Sequence, residues 1–189
     1  MLHALCDLFN GEIDTMANPR TFRWQGRVFD FKVEETTLPN GKHSTIEAIR
    51  HPGSSAIVPV EETKSVVLLR QYRPAIRSFI WEIPAGTMHR GEDPLECARR
   101  ELREESGFIG QRFEKIGEIL IAPGYSDERI HLFLATDLSP CEQKLDEDEY
   151  LEIHSFNFEE AMKMIERRDI QDAMTIVGLN MAYGKLKQG

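Results

Sequence analysis

Three things are scarce in this sequence of 189 residues: cysteine, an excess of positive charge, and long apolar runs. The cysteines are Cys6, Cys97 and Cys141, an odd number without a C-x-x-C pair, which argues against a disulfide framework and a structural zinc site. We therefore expect a reducing compartment and a cytoplasmic location. No apolar run approaches the ~20 residues that a membrane-spanning helix needs, so we expect no membrane partner.

Acidic side chains outnumber basic ones by 32 to 23, which gives a net charge of −9. A surface of this sign has no broad electrostatic attraction for nucleic acid, so we expect no nucleic-acid partner. An anionic substrate must instead be neutralised by local arginines or by a bound metal. The apolar content of 41% is ordinary for a globular protein, and the length allows one sizeable core.

Residues 1–19 are predicted to be an N-terminal extension. They lack the positively charged start of a secretory signal, and acidic side chains interrupt their apolar part. We expect residues 1–15 to be dispensable for activity and for assembly.

Residues 20–52 predict a small antiparallel β subdomain that contributes to dimerisation. Apolar and polar residues alternate over residues 21–37, as in a strand. The pair Asn40-Gly41 is a strong hairpin signal, and Ser44–Arg50 follows as the returning strand. A sheet this small has few large apolar residues, so it should pack on the rest of the chain or on a second subunit.

Residues 53–189 are expected to form the main domain. Runs rich in β-branched residues at Ala56–Val60 and Ser65–Arg70 predict buried strands, and Pro59 indicates that the first lies at a sheet edge or ends early. Three further strands are predicted at Lys115–Leu120, Arg129–Ala135 and Leu151–Phe156. Two C-terminal helices are predicted, one that starts at Asn157 and one at about Asp172–Lys187. The predicted fold class is α+β, an α/β/α sandwich that follows the β subdomain.

A helix of about 13 residues is predicted between Asp93 and Gly107. Asp93 is a good N-cap residue, Pro94 suits the first helical position, and Glu96 can complete a capping box. Gly107 suits the left-handed residue that follows the last turn.

Three carboxylates of this helix, Glu101, Glu104 and Glu105, follow the spacing i, i+3, i+4 and therefore share one face. Like charges so placed repel one another, and a bound divalent cation relieves the repulsion. Ligands that are all oxygen suit Mg²⁺ or Mn²⁺ better than zinc. The sequence therefore predicts a metal site on this helix face.

The spacing of this stretch resembles the Nudix signature, G-x5-E-x7-R-E-U-x-E-E-x-G-U. All nine specified positions are filled, by Gly86, Glu92, Arg100, Glu101, Leu102, Glu104, Glu105, Gly107 and Phe108. Further motifs within residues 20–187 resemble the ADP-ribose pyrophosphatase branch: Asn40-Gly41, His51-Pro52-Gly53, Gln71-Tyr72-Arg73, Trp81–Gly86, Pro123-Gly124 and the acidic segment LDEDEYLE.

The resemblance implies a Nudix fold and metal-dependent hydrolysis of ADP-ribose to AMP and ribose 5-phosphate, with Mg²⁺ or Mn²⁺ as cofactor. It also implies a homodimer in which the β subdomain helps to build the partner's substrate site. Another nucleoside diphosphate sugar, such as a GDP- or ADP-hexose, remains an alternative substrate. A non-catalytic domain that senses ADP-ribose is disfavoured because every signature glutamate is present, and RNA decapping is disfavoured by the negative charge.

Glu101 and Glu105 are the predicted metal ligands, and Glu104 is a third ligand or a neighbour that acts in catalysis. The resemblance adds the Ala85 carbonyl and Glu149 as further metal ligands. It also makes Glu147 the general base, although a neighbouring carboxylate of the acidic loop could take either role.

The predicted substrate-binding residues are Arg73, Arg50 and Glu128, with Arg50 reaching across the dimer. Five further residues are expected to support the site structurally: Gly86, Glu92, Arg100, Gly107 and Pro123. Among them, Arg100 and Glu92 are expected to form an internal ion pair. His131 and Cys97 are interpreted as packed structural residues.

Overall fold

The structure is a computed structural model that describes residues 22–145 and 149–187. The described chain contains ten strands and three helices. It divides into two compact units, one comprising the chain up to Pro52 together with Leu120–Arg129, and the other Gly53–Ile119 together with Ile130 onward.

The first unit contains a three-stranded antiparallel sheet in the order β1-β2-β3. Its strands are β1 (Phe22–Gln25), β2 (Asp30–Thr37) and β3 (His43–Arg50). The hairpin predicted between β2 and β3 is confirmed, because Gly41 N donates to Leu38 O at 2.8 Å and Gly41 has φ +80°.

The single strand predicted over residues 21–37 is wrong, because the chain reverses between β1 and β2. Gly26 N donates to Phe29 O at 3.0 Å in this turn. A Cβ added at Gly26 would lie 2.6 Å from the Trp24 ring, so the turn requires glycine. The alternating pattern continues through Val28 and Phe29, which hides the turn, yet these side chains are 43% and 39% exposed.

The second unit contains two sheets. A mixed sheet has the order β7-β4-β9-β8, and an antiparallel sheet has the order β10-β5-β6. The strands are β4 (Ser54–Pro59), β5 (Ser65–Arg73), β6 (Ser78–Glu82), β7 (Ala85–Thr87), β8 (Phe108–Leu120), β9 (Arg129–Pro140) and β10 (Leu151–Asn157). Strand β4 runs parallel to β9 and antiparallel to β7, so the suggestion that Pro59 marks a sheet edge is wrong; Pro59 instead ends the strand.

Three helices pack on these sheets: α1 (Pro94–Ser106), α2 (Phe158–Glu166) and α3 (Ala173–Leu186). Because successive side chains of a strand point to opposite faces, β4 separates two cores. Ile57 packs with Ala98 and Leu102 of α1 in one core. Ala56 and Val58 pack in the other core with residues of α2 and α3. The predicted α/β/α layering follows from this alternation.

The helix ends are set by local chemistry, as the sequence predicts. Asp93 accepts a hydrogen bond from Leu95 N at 2.8 Å, and Gly107 ends α1 in the left-handed conformation with φ +67°. Asn157 and Asp172 are the N-caps of α2 and α3. None of the helices in the described ranges is long and apolar enough to cross a membrane.

The large apolar side chains of α3 do not all lie on its buried face. Met181 and Leu186 are 37% and 42% exposed. The buried residues of the helix are Met174, Thr175, Gly178, Leu179 and Ala182. Small residues at Gly178 and Ala182 let this helix approach the sheet closely, so size rather than hydrophobicity selects the face.

Replacing Asn157 by alanine removes the N-cap of α2, whose side-chain oxygen accepts from Glu159 N at 2.9 Å. We expect Asn157→Ala to lower the free energy of unfolding by about 1 kcal/mol, because one amide at the helix start loses its partner. Urea titration followed by circular dichroism measures the change. Asn157→Asp, which keeps an acceptor, should retain wild-type stability; equal losses in both variants would contradict a capping role.

Candidate active site

The site lies where residues 82–86, from the end of β6 to the start of β7, run beside α1. Ala85 N donates to Glu105 Oε2 at 2.8 Å, so this carboxylate fixes the backbone of the segment. A Cβ added at Gly86 would lie 1.9 Å from Glu101 Oε1, so any larger residue would displace that carboxylate. Glycine at this position therefore lets the strand and two of the predicted metal ligands approach each other.

The carboxylates of this cluster carry negative charge that the protein compensates only in part. Glu105 is 4% exposed, and burial raises its pKa well above the ordinary value, with the charge of Glu101 adding to the effect. Burial also raises the pKa of Glu101, while Arg100 opposes the shift. The charge of Glu149 raises the pKa of both Glu101 and Glu105, so Glu149 lies within electrostatic range of the pair. An added cation would stabilise Glu101 and Glu105 in their charged form.

Arg100 forms the ion pair with Glu92 that the sequence predicts. Its Nε lies 3.0 Å from Glu92 Oε1, and its Nη2 lies 3.1 Å from Glu92 Oε2. Nη1 donates to Glu101 Oε1 at 2.5 Å and to Glu104 Oε2 at 3.4 Å, while Nη2 also donates to Thr87 O at 3.2 Å. The hydrogen bond to Glu92 is the main reason that the pKa of Arg100 is raised. One guanidinium thus contacts two carboxylates of the predicted metal-binding face and the strand beside them.

Arg73, a predicted substrate residue, has a buried partner that the sequence did not reveal. Its Nε donates to Glu82 Oε2 at 2.9 Å and Oε1 at 3.2 Å, and Glu82 is 4% exposed. Burial raises the pKa of Glu82, and the charge of Arg73 opposes this shift. The charge of Arg73 also lowers the pKa of Glu105, so the guanidinium lies near the carboxylate cluster. The register of β5 and β6 places Ser78 opposite Arg73 and Leu69 opposite Glu82, so the pairing depends on the reach of the arginine side chain along the sheet.

The first unit brings together the other two predicted substrate residues, Arg50 and Glu128. Arg50 pairs with Glu34, and its Nη1 lies 3.1 Å from Asp127 Oδ2. Asp127 Oδ1 also accepts from His51 N at 2.9 Å, and His51 Nδ1 lies 3.6 Å from Glu128 Oε1. Sequence reasoning missed Asp127, which connects β3 to the loop that carries Glu128.

Pro123 belongs to this same loop and lies within a hydrogen-bonded turn. Ala122 O, just before Pro123, accepts from Tyr125 N at 3.0 Å and from Ser126 N at 2.8 Å. Beyond this turn, Ile49 N donates to Tyr125 O at 2.7 Å, so the loop extends the edge of β3. Pro123 therefore begins a turn that delivers residues 125–128 to the strand carrying Arg50.

The segment before the acidic loop binds the C-terminal end of α1. Cys141 N donates to Gly107 O at 2.7 Å, and Lys144 N donates to Glu104 O at 3.0 Å. These backbone contacts bring the start of the acidic loop next to the helix that carries the carboxylates. Backbone hydrogen bonds of this kind leave no signal in residue type, so the sequence did not reveal them.

Glu147, the predicted general base, lies outside the described residues. Glu149 is described, and it comes just before β10. Tyr150 O, the next residue along, accepts from Tyr72 N at 3.1 Å. The far end of the acidic loop is therefore joined to β5, the strand that also carries Arg73.

Comparison with known proteins decides the family. The NUDIX domain profile matches residues 49–175. The chain belongs to the Nudix family. The resemblance drawn from the signature is thus confirmed, and members of this family generally need a divalent cation for hydrolysis.

Relatives of this Nudix chain match it over most of its length. It is 39% identical over 179 residues to the ADP-ribose pyrophosphatase of Bacillus subtilis (strain 168), covering 94% of this chain and 95% of that protein. It is 37% identical over 158 residues to the methanol dehydrogenase activator of Bacillus methanolicus, covering 82% and 85%. A crystal structure of an ADP compounds hydrolase matches with a TM-score of 0.75 at 25% identity, covering 94% of this chain and 92% of that one. The predicted fold is confirmed by this match.

The donor set of the Nudix helix fits a divalent cation. Carboxylate oxygens of Glu101, Glu104 and Glu105 and the carbonyl of Ala85 are hard ligands of the kind that Mg²⁺ and Mn²⁺ prefer. Within residues 22–145 and 149–187, no group of three or more His, Cys, Asp and Glu side chains is arranged so that it could hold a metal ion. Arg100 and the Ala85 amide donate hydrogen bonds to oxygens of Glu101 and Glu105.

The ion pair between Glu92 and Arg100 predicts a pH-dependent loss of stability. The Glu92 side chain is 15% exposed, and its pKa is lowered mainly by the hydrogen bond from Arg100. Because the folded-state pKa lies below the unfolded one, the stabilisation is complete above the unfolded pKa and is lost as the pH falls through the folded value. Glu92→Gln should therefore lower the free energy of unfolding by about 2 kcal/mol at pH 7 and by much less below about pH 4.

Urea unfolding at several pH values measures this difference. Glu96→Gln is the matched control, because Glu96 is 68% exposed and its oxygen lies 3.5 Å from Arg99 Nε. An exposed pair of this kind contributes about 0.5 kcal/mol or less. A Glu92→Gln deficit that stays constant down to pH 3 would show that the charge pair is not its cause.

Proposed function

We propose that this Nudix hydrolase cleaves the pyrophosphate of ADP-ribose to AMP and ribose 5-phosphate, with Mg²⁺ or Mn²⁺ bound at the carboxylate face of α1. The observation that carries the proposal is the close approach of Ala85 and Gly86 to Glu105 and Glu101. The ADP-ribose pyrophosphatase of Bacillus subtilis, 39% identical over nearly the whole chain, supports this choice of substrate.

In this proposal, Glu101, Glu105, Glu149 and the Ala85 carbonyl hold the cation, and Glu104 lies beside them. A bound divalent cation supplies neutralisation of the pyrophosphate and a lowered pKa for the attacking water. Arg100 keeps Glu101 and Glu104 oriented toward that position through the contacts of its Nη1.

The reaction itself needs one water and one base. The water oxygen bonds to a phosphorus of the pyrophosphate, and the bond from that phosphorus to the bridging oxygen breaks. The bridging oxygen stays with the other phosphorus, so each product keeps one phosphate, and AMP and ribose 5-phosphate are formed. Glu147 accepts the proton of the water, a role assigned from the family resemblance.

Substrate recognition is assigned to Arg73, Arg50 and Glu128. Glu82 holds Arg73 through Nε. The other nitrogens of a guanidinium held in this way can bind phosphate or adenine. Glu128 is assigned to the terminal ribose, and Arg50 is a second choice for the contact to phosphate or adenine. We propose that the protein is a cytoplasmic homodimer in which Arg50 serves the site of the partner subunit.

A panel of nucleoside diphosphate derivatives tests the proposal. ADP-ribose, GDP-mannose and ADP-glucose are incubated with the protein and either Mg²⁺ or Mn²⁺, and the products are identified by mass spectrometry. We expect ADP-ribose to give the highest kcat/KM, with AMP and ribose 5-phosphate as products. Glu101→Gln and Glu105→Gln should each lower kcat by about 100-fold or more, because a ligand to the catalytic cation is lost.

Each alternative has its own outcome in this panel. Faster turnover of a hexose derivative would assign the protein to another nucleoside diphosphate sugar. Binding of ADP-ribose without turnover under either metal would indicate a sensing domain. Full activity in both glutamine variants would disprove the metal-site assignment.

The acidic loop gives a separate prediction about the general base. Glu147→Gln should lower kcat far more than it changes KM, because a base acts on the transition state and not on substrate binding. Glu149→Gln should instead raise the metal concentration needed for half-maximal activity. The assignment fails if Glu149→Gln proves the damaging change in kcat while Glu147→Gln is mild.

A further inference from the structure

We infer that the hydroxyl of Thr175, in the first turn of α3, is a positioning residue that holds residues 82–86 in register with the metal-binding face of α1. The inference rests on the proposed function, because residues 82–86 carry Glu82 and Ala85. It assigns to the C-terminal helix a part in the reaction that neither the Nudix signature nor the relatives indicate.

The hydroxyl of Thr175 makes two hydrogen bonds inside the core. Thr175 is fully buried, with a relative exposure of 0%. Its Oγ1 accepts from Ile83 N at 3.0 Å and donates to Asp172 Oδ2 at 2.7 Å. Asp172 Oδ2 also accepts from Thr175 N at 2.7 Å, as the N-cap of the helix. Since the hydroxyl proton is committed to Asp172, a lone pair of the oxygen faces the Ile83 amide.

The Ile83 amide needs this partner because it lies just beyond the end of β6. Ile83 is 1% exposed, so water cannot replace the hydroxyl. An unpaired buried amide is unfavourable enough that the backbone would move to satisfy it. Ile83 follows Glu82 directly and lies two residues before Ala85, so a backbone shift there changes both.

Three separate elements therefore fix the backbone of residues 82–86. Ile57 N of β4 donates to Pro84 O at 2.9 Å, and Glu105 of α1 accepts from Ala85 N at 2.8 Å. Thr175 of α3 supplies the third contact. The first two contacts come from β4 itself and from α1. The third comes from α3, which packs on the face of β4 opposite to α1.

A second contact shows that α3 also positions the Ile83 side chain. A Cβ added at Gly178 would lie 2.9 Å from Ile83 Cδ1 and 3.3 Å from Val58 Cγ2. Gly178 is one turn beyond Thr175, on the same buried face of the helix. The helix thus fixes Ile83 through both its amide and its side chain, which leaves little freedom for residues 82–86 to move.

Thr175→Val removes the hydroxyl at nearly constant shape. We expect the Kd for Mn²⁺, measured without substrate by electron paramagnetic resonance of the free ion, to rise about fivefold, because the carbonyl of Ala85 is displaced. We also expect kcat for ADP-ribose to fall about tenfold with KM changed less than about twofold, since misplaced groups act mainly on the transition state. Thr175→Ser keeps the hydroxyl and should restore both values.

Asn157→Ala is the control for a loss of stability alone, because it removes the N-cap of a helix with no hydrogen bond to residues 82–86. It should leave the Kd for Mn²⁺ and kcat near wild-type values at a temperature where all variants are folded. The inference is overturned if Thr175→Val binds Mn²⁺ and turns over like the wild type, or if Asn157→Ala reproduces its defects.

Gly178→Ala gives an independent test should Thr175→Val not fold. The added methyl group displaces Ile83 from the same helix while the hydroxyl remains, so the same direction of change in Mn²⁺ affinity is expected. Wild-type Mn²⁺ affinity in a folded Gly178→Ala variant would count against the inference. A wild-type protein that binds Mn²⁺ but does not cleave ADP-ribose would refute the proposed function, and the binding arm would still test Thr175.

Discussion

The close approach of residues 82–86 to α1 is the constraint on which the site depends. Two buried or half-buried glutamates lie against a strand backbone, and this is possible only because Gly86 has no side chain and Ala85 offers its amide. Carboxylates in such surroundings resist ionisation, since burial disfavours their charged form. The guanidinium of Arg100 contacts both Glu101 and Glu104, and that of Arg103 contacts Glu104. The remaining charge makes the face receptive to a divalent cation.

Helices packed on both faces of the β4 sheet hold residues 82–86 close to α1. Strand β4 pairs with Ala85 and Gly86 in the same sheet and sends alternate side chains into two cores, one with α1 and one with α2 and α3. Leu102 and Ala98 press α1 onto one face, while Gly178 brings α3 onto the other. A change in the C-terminal core can therefore reach the carboxylate face through a few backbone hydrogen bonds, without any contact to the substrate.

Local chemistry made much of this protein predictable from sequence. The ends of α1 follow from Asp93 and Gly107, because capping depends on residues within one turn. The signature spacing identified the family and the carboxylate face, because the period of the helix converts spacing directly into position.

Contacts between distant elements could not be predicted in the same way. Arg73 of β5 reaches along the sheet to Glu82 of β6, and Thr175 contacts Ile83, which lies 92 residues earlier in the chain. The turn after Gln25 was hidden by an alternation of apolar residues that continued through it. In α3, the buried face includes Gly178, whose small size makes room for the side chains of Ile83 and Val58. Each of these features depends on what lies opposite in space, which composition and spacing do not record.

The surroundings of Cys97 have a consequence for oxidative chemistry. This thiol is fully buried in α1, its Sγ lies 3.6 Å from Gly86 O, and burial raises its pKa to about 11. Oxidants and electrophiles react with the thiolate, which is nearly absent at neutral pH under these conditions. The thiol of Cys97, which contacts Gly86 of β7, is therefore expected to react slowly with peroxide or nitrosating agents. The activity of the folded protein is therefore expected to follow the supply of cation and substrate without a redox contribution from this position.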